Sequence, residues 1–174
     1  MIDLNKFAKE VHENAVKHGW WDAERSFGEV IALIHSELSE ALEEYRNGHA
    51  PTETYYSKGG KPEGIPSELA DVVIRVLDWC GHENITLNTK IIKNNDNFIK
   101  KMIAENYKML PFADGIASSH SDISSWYNDE ADIEAVISGV FCMSSFYGID
   151  LESAMLEKHN FNKTRPYKHG GKVI

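Results

Sequence analysis

The sequence predicts an all-α protein, a helical bundle. Three observations carry that expectation: apolar residues recur every three or four positions over long runs, Gly- and Pro-rich stops separate the runs, and two-residue strand alternation is confined to short pieces. In "LNKFAKEVHENAVKHG", Leu4, Phe7, Ala8, Val11 and Ala15 fall on one helical stripe that stops at Gly19. Residues 26–47 form the second predicted helix, opened by Ser26 with Glu29 three positions on, the capping-box pairing. "GHAPTETYYSKGGKPEGIP" reads as a loop. Ser67 then opens "ELADVVIRVLDWC", which is expected to end at Gly81. Further helices are expected after Ile85, around 118–127, over 130–147, and from Asp150 to Lys163.

The chain has 174 residues, the size of one ordinary domain. Its net charge of -9 argues against docking on a nucleic-acid polymer, which needs a basic face. No run approaches the length of a membrane span, and "MIDLNKFAKE" is charged from its third residue, so a cytoplasmic location is expected. Cys80 and Cys142 show no zinc spacing and read as reduced core residues.

The carboxylates are the unusual feature. On the second helix Ile34, Leu38, Ala41 and Tyr45 form an apolar stripe, Glu37, Glu40 and Glu44 line its edge, and Glu43 points away. The helix after Ser67 is apolar round most of its circumference, yet Glu68, Asp71, Arg75 and Asp78 share one strip. Buried carboxylates are costly unless paired or coordinating a metal, and Arg75 answers for only one of them. Two helices that each offer acids three residues apart can face one another and form an all-oxygen cage. Such ligands select a hard divalent cation, Mg²⁺ or Mn²⁺. A di-iron bundle would use Glu-x-x-His pairs, and no His lies three positions after a Glu.

With Glu37-x-x-Glu40 followed by Glu68-x-x-Asp71, the chain resembles the MazG-like all-α nucleoside triphosphate pyrophosphohydrolases, a family related to dimeric dUTPases and dCTP pyrophosphatases. The resemblance runs from "KHGWW" to "KHNFNKTRPYKHGGK" and departs at Ser36, where the family usually carries a further acid. It implies Mg²⁺-dependent hydrolysis of a nucleoside triphosphate to monophosphate and pyrophosphate, in cleaning of the nucleotide pool. Glu37, Glu40, Glu68 and Asp71 would be metal ligands, and Glu37 or Glu40 would take the proton of the attacking water. Lys158, Asn162 and Arg165 follow the family's Lys-x-x-x-Asn-x-x-Arg pattern and would hold phosphates. They lie in a stretch from Lys158 to Lys172 that carries no acid. The segment Lys168 to Lys172 reads as a solvated basic tail. A homodimer is also expected.

Two further features leave alternatives open. Trp20 and Trp21 either stack a nucleobase or plug the end of the bundle. "SKGGKPEG" is either a lid carrying Lys58 and Lys61 or a flexible loop. The sequence also echoes itself. "HSELSEA" at 35–41 returns as "HSDISSW" at 120–126, and Lys93, Asn97 and Lys100 repeat the spacing of Lys158, Asn162 and Arg165. One domain, 1–174, is therefore expected to hold two degenerate units, 1–106 with the acids intact and 107–174 with Ser125 in place of Glu40. Two other readings compete with a hydrolase: a catalytically silent nucleotide or metal sensor, and a structural helical protein that merely associates.

Overall fold

The computed structural model describes residues 2–108 and 110–171, and Lys172 lies outside them. Among the described residues the chain is all-α: α1 (Leu4–Lys17), α2 (Phe27–Arg46), α3 (Ile65–Glu83), α4 (Thr89–Ala104), α5 (Phe112–Tyr127), α6 (Ile133–Tyr147), α7 (Leu151–Asn162) and a four-residue turn, α8 (Lys168–Gly171). No single helix is long and apolar enough to cross a membrane.

Local chemistry fixes the helix ends. The Asp3 side chain caps α1 by accepting from the Lys6 amide, and Ser26 with Glu29 makes the reciprocal capping box of α2. Gly64, at φ 99°, turns the chain into α3, and Pro66 occupies its first turn. The helix therefore starts two residues before the predicted Ser67. It also runs past Gly81 to Glu83, because this glycine is a packing residue and not a stop. A Cβ at Gly81 would lie 2.4 Å from the Cβ of His12 and 2.8 Å from the Ala8 carbonyl, so α1 and α3 meet there backbone to backbone. Similarly, α5 begins at Phe112, directly after Pro111, and not near residue 118.

The central element is α3, which packs against α1, α2, α6 and α7. Its residues Leu69, Val72, Val73, Val76 and Leu77 are fully buried and join Leu4, Ile34, Leu38, Ile137 and Met155 in one continuous core. The all-round burial anticipated from its sequence is the reason its few charged residues matter.

Within the expected loop, β1 (Tyr55–Tyr56) pairs antiparallel with β2 (Pro62–Glu63). Gly59 and Gly60 turn the hairpin with φ near 80° and 75°. Glu63 accepts from Ser57 (2.8 Å) and Lys61 (2.7 Å), and the Tyr56 hydroxyl donates to Glu157 of α7 (2.6 Å). The segment is thus an ordered hairpin docked on α7.

The packing has a repeated pattern: α2 lies on α3 as α5 lies on α6, and α7 lies on α3 as α4 lies on α6. His35 and His120, from the echoed heptapeptides, meet between α2 and α5 with Nδ1 atoms 2.7 Å apart. Ser39 and Ser124 donate to the carbonyls of those histidines at 2.8 and 2.9 Å. The second echo does not share a placement: Lys93 and Asn97 are exposed on α4, whereas Lys158 is buried in α7.

Candidate metal and phosphate site

The largest concentration of charge lies in a cleft of about 940 Å³ including open space, floored by α3 and walled by α1, α2 and α7. At one end α2 supplies Glu37 and Glu40, and α3 supplies Glu68. One carboxylate oxygen from each lies within 4.8 Å of the others. An octahedral ion with bonds of about 2.1 Å places its oxygens roughly 3 to 4 Å apart, so these three donors fit a hard divalent cation, with substrate and water oxygens as further ligands. Zinc and copper sites want nitrogen or sulfur, which this cluster does not offer.

Each acid stands in a different environment. Glu37 is buried, and its Oε1 accepts from Nε of Arg75 (2.7 Å) and pairs with Nη2 of the same guanidinium at 2.5 Å. Glu40 is exposed, and its side-chain partner is the Ser36 hydroxyl at 3.4 Å. Glu68 is only 3% exposed; burial, with lesser opposition from Lys158 and additions from Asp71, Glu37 and Glu40, pushes its carboxyl up to about 8.

Asp71 is set apart from this trio. Its Oδ2 lies 2.9 Å from Nζ of Lys158, which also donates to Ser67 Oγ (2.8 Å) and lies 3.9 Å from Glu68. Lys158 is 1% exposed. Burial alone would lower the pKa of its ammonium, but Asp71 and Glu68 outweigh this and raise it. Burial raises the Asp71 carboxyl, with Lys158 opposing. Of the residues expected to touch phosphate, Lys158 is therefore an internal counter-charge that does not line the cleft. Its ammonium also donates to the Pro62 carbonyl of the hairpin at 3.4 Å, so it is held between the hairpin and the acids of α3. Asn162 and Arg165 do line the cleft, and no carboxylate pairs with Arg165 among the described residues.

The tryptophans separate. Trp21 stacks on His82 at 3.8 Å and donates through Nε1 to Asp78 (3.0 Å), which also meets His12 Nδ1 at 2.8 Å. It closes the end of the α1–α3 pair. Trp20 lines the cleft, meets His169 edge-on at 4.9 Å, and lies beneath the Arg25 guanidinium at 5.1 Å. The expected solvated tail is in part docked: Lys168 N donates to the His18 carbonyl at 2.9 Å, and the Tyr167 hydroxyl donates to Asp22. Gly19 makes room for Tyr167, whose ring a Cβ there would strike at 2.1 Å.

Other acids of the opening motif have separate tasks. Glu44 accepts from the Tyr55 hydroxyl at 3.1 Å and so ties the hairpin to α2, while Glu43 pairs with Arg46 on the surface.

Sequence reasoning passed over Arg25 and His159, both in the cleft wall. Arg25 lies in an irregular segment without periodicity. His159 is 2% exposed and packs edge-on against Phe7 at 5.1 Å, and its Nε2 has no partner. Burial, with Lys163 adding, pushes its imidazole down to about 4. The adjacent position to Lys158 was its only signal.

Comparison of the chain with family models, with curated proteins and with solved structures finds no match.

Proposed function

We propose that the chain is a Mg²⁺-dependent nucleoside triphosphate pyrophosphohydrolase of MazG-like type, acting in the cytoplasm on small nucleotides. The observation that carries this reading is the convergence of Glu37, Glu40 and Glu68 from two helices, beside cleft-lining Arg165, Arg75 and Lys61. Three acids held together in a partly buried site call for a cation, and basic groups next to them call for a polyanion.

When bound, a divalent cation at the trio neutralises charge on phosphate oxygens and makes a coordinated water more acidic. The residues divide the remaining work. Arg75 holds Glu37 in place through a hydrogen bond and an ion pair to one oxygen, which leaves its second oxygen to ligate. Glu40, whose hydrogen-bond partner among the described residues is the Ser36 hydroxyl, has a carboxylate uncommitted enough to take the proton of the attacking water. Mn²⁺ should substitute for Mg²⁺, since the donors are all oxygen. Arg165 and Asn162 orient the triphosphate, and Lys158 acts from behind by holding Asp71.

One observation favours a second reading, a catalytically silent nucleotide or metal sensor. Lys158 occupies Asp71, an acid that the family resemblance would give to the metal. A panel of nucleoside triphosphates with Mg²⁺ decides between them. Pyrophosphate released by the native chain and reduced about 100-fold or more in Glu40→Gln supports the hydrolase. Nucleotide binding without turnover supports the sensor, and neither refutes both.

A further inference from the structure

Two guanidiniums in the cleft, Arg25 and Arg165, have no carboxylate at ion-pair distance among the described residues. The charges that act on Arg165 are Asp71, Glu37, Glu63 and Arg75, which place it at the acidic end. Those that act on Arg25 are Asp78, Arg75 and Glu29. Asp78 lies seven residues beyond Asp71 on α3, about 10 Å further along the helix axis. Arg25 therefore sits at the Asp78 end of the charged strip of α3, beside Arg75, which itself reaches Glu37 of the cation site.

The surroundings of Arg25 differ accordingly. It lies over the faces of Trp20 (5.1 Å) and Trp21 (5.9 Å), and Asp78, an acid whose charge acts on it, is already engaged by Trp21 and His12. The cleft also has uncharged lining: Val11 and Ala15 of α1, the Trp20 indole, and His159 with its unpartnered, buried Nε2. The indole and aliphatic lining suit a flat aromatic group, and the guanidinium beside them carries N–H donors for its edge.

We propose that Arg25 is a specificity-determining residue that donates to the keto-bearing edge of a nucleobase, so that guanine and uracil or thymine nucleotides are taken in preference to adenine and cytosine nucleotides. This rests on the nucleotide reading above. A guanidinium carries five N–H donors and no acceptor. Guanine offers it O6 and N7, and uracil and thymine offer O4, while adenine and cytosine present exocyclic amino groups that set donor against donor.

Equilibrium binding of GMP, UMP, AMP, CMP and pyrophosphate by calorimetry in Mg²⁺, on the native chain, Arg25→Met and Arg25→Lys, tests this. The native chain should bind GMP and UMP at least about tenfold more tightly than AMP and CMP. Arg25→Met should bring all four within about threefold while pyrophosphate affinity is unchanged, and Arg25→Lys should keep part of the preference. A native chain without keto preference overturns the proposal. So does an Arg25→Met chain that loses pyrophosphate and all four nucleotides equally, which marks a phosphate contact or a damaged fold. Triphosphate turnover measured alongside separates the two claims. Keto preference that depends on Arg25 without turnover overturns the hydrolase alone; turnover without preference overturns the base reading alone; no binding of any nucleotide overturns both.

Discussion

Replacing Lys158 with Met removes a buried ammonium and leaves its neighbours in place. Nζ lies 2.9 Å from Asp71, 2.8 Å from Ser67 and 3.9 Å from Glu68, at 1% exposure. Met retains most of the stem's packing, so the loss is chiefly electrostatic. Breaking a buried pair by removing one partner costs about 3–5 kcal/mol, because the remaining charge has no compensation. Here two acids lose their counter-charge together, with Glu37 close by. Protonation limits the damage, since both carboxyls already sit above their ordinary range. The loss should therefore be largest near pH 8 and shrink towards pH 5, where Glu68 binds a proton in the folded chain. Against a stability of about 5–15 kcal/mol, a loss of about 4 is severe, and the melting temperature should fall by roughly 10 °C. Urea unfolding followed by circular dichroism at the two pH values measures it. Saturating Mg²⁺ should restore part of the loss by supplying positive charge to the same acids. A loss below about 1 kcal/mol near pH 8, or one that does not vary with pH, refutes the counter-charge role.

Three further outcomes follow from the same geometry. Glu68, pushed up to about 8, must lose its proton to ligate, so Mg²⁺ affinity should rise as pH increases from about 6 to 8 with up to one proton released per ion; calorimetry in buffers of different ionisation enthalpy reads this directly. His159 titrates near 4 in the folded chain and about 6.5 when unfolded, so its stabilisation is complete above pH 6.5 and is lost as pH falls towards 4. That is worth about 3 kcal/mol, and His159→Phe should flatten this part of the stability-against-pH curve. Gly81→Ala should cost about 1–3 kcal/mol in urea unfolding, since its Cβ meets the Ala8 carbonyl at 2.8 Å; a neutral result would mean that α1 and α3 can separate freely.

The parts of the molecule legible in the sequence are those fixed by helical period. Spacing alone places Glu37 with Glu40, and Glu68 on the strip that also carries Asp71 and Arg75, and the capping chemistry of Ser26 and Glu29 is local enough to read directly. Contacts between distant segments are not legible in this way. That Lys158 turns inward to Asp71, and so stands outside the phosphate-facing wall, depends on how α7 crosses α3 beside the hairpin. The hairpin has strands of two residues, too short for alternation to show, and its Gly59–Gly60 turn is its only local sign. Gly81 misleads for the opposite reason: in an apolar run a glycine marks either a helix end or a close approach, and only the position of α1 decides which. Arg25 belongs to a connection whose role comes from what it lies against, two indole faces brought together by folding.

The most direct test of the account is phosphorus NMR of a nucleoside triphosphate incubated with the native chain and Mg²⁺, beside a Glu40→Gln sample and one containing EDTA. The expected result is a monophosphate and pyrophosphate in equal amounts from the native chain, with both signals suppressed in the other two. Release of orthophosphate in place of pyrophosphate, or conversion unaffected by loss of Glu40 or of the cation, would contradict the claim that the carboxylates of α2 and α3 form a metal-dependent pyrophosphohydrolase centre.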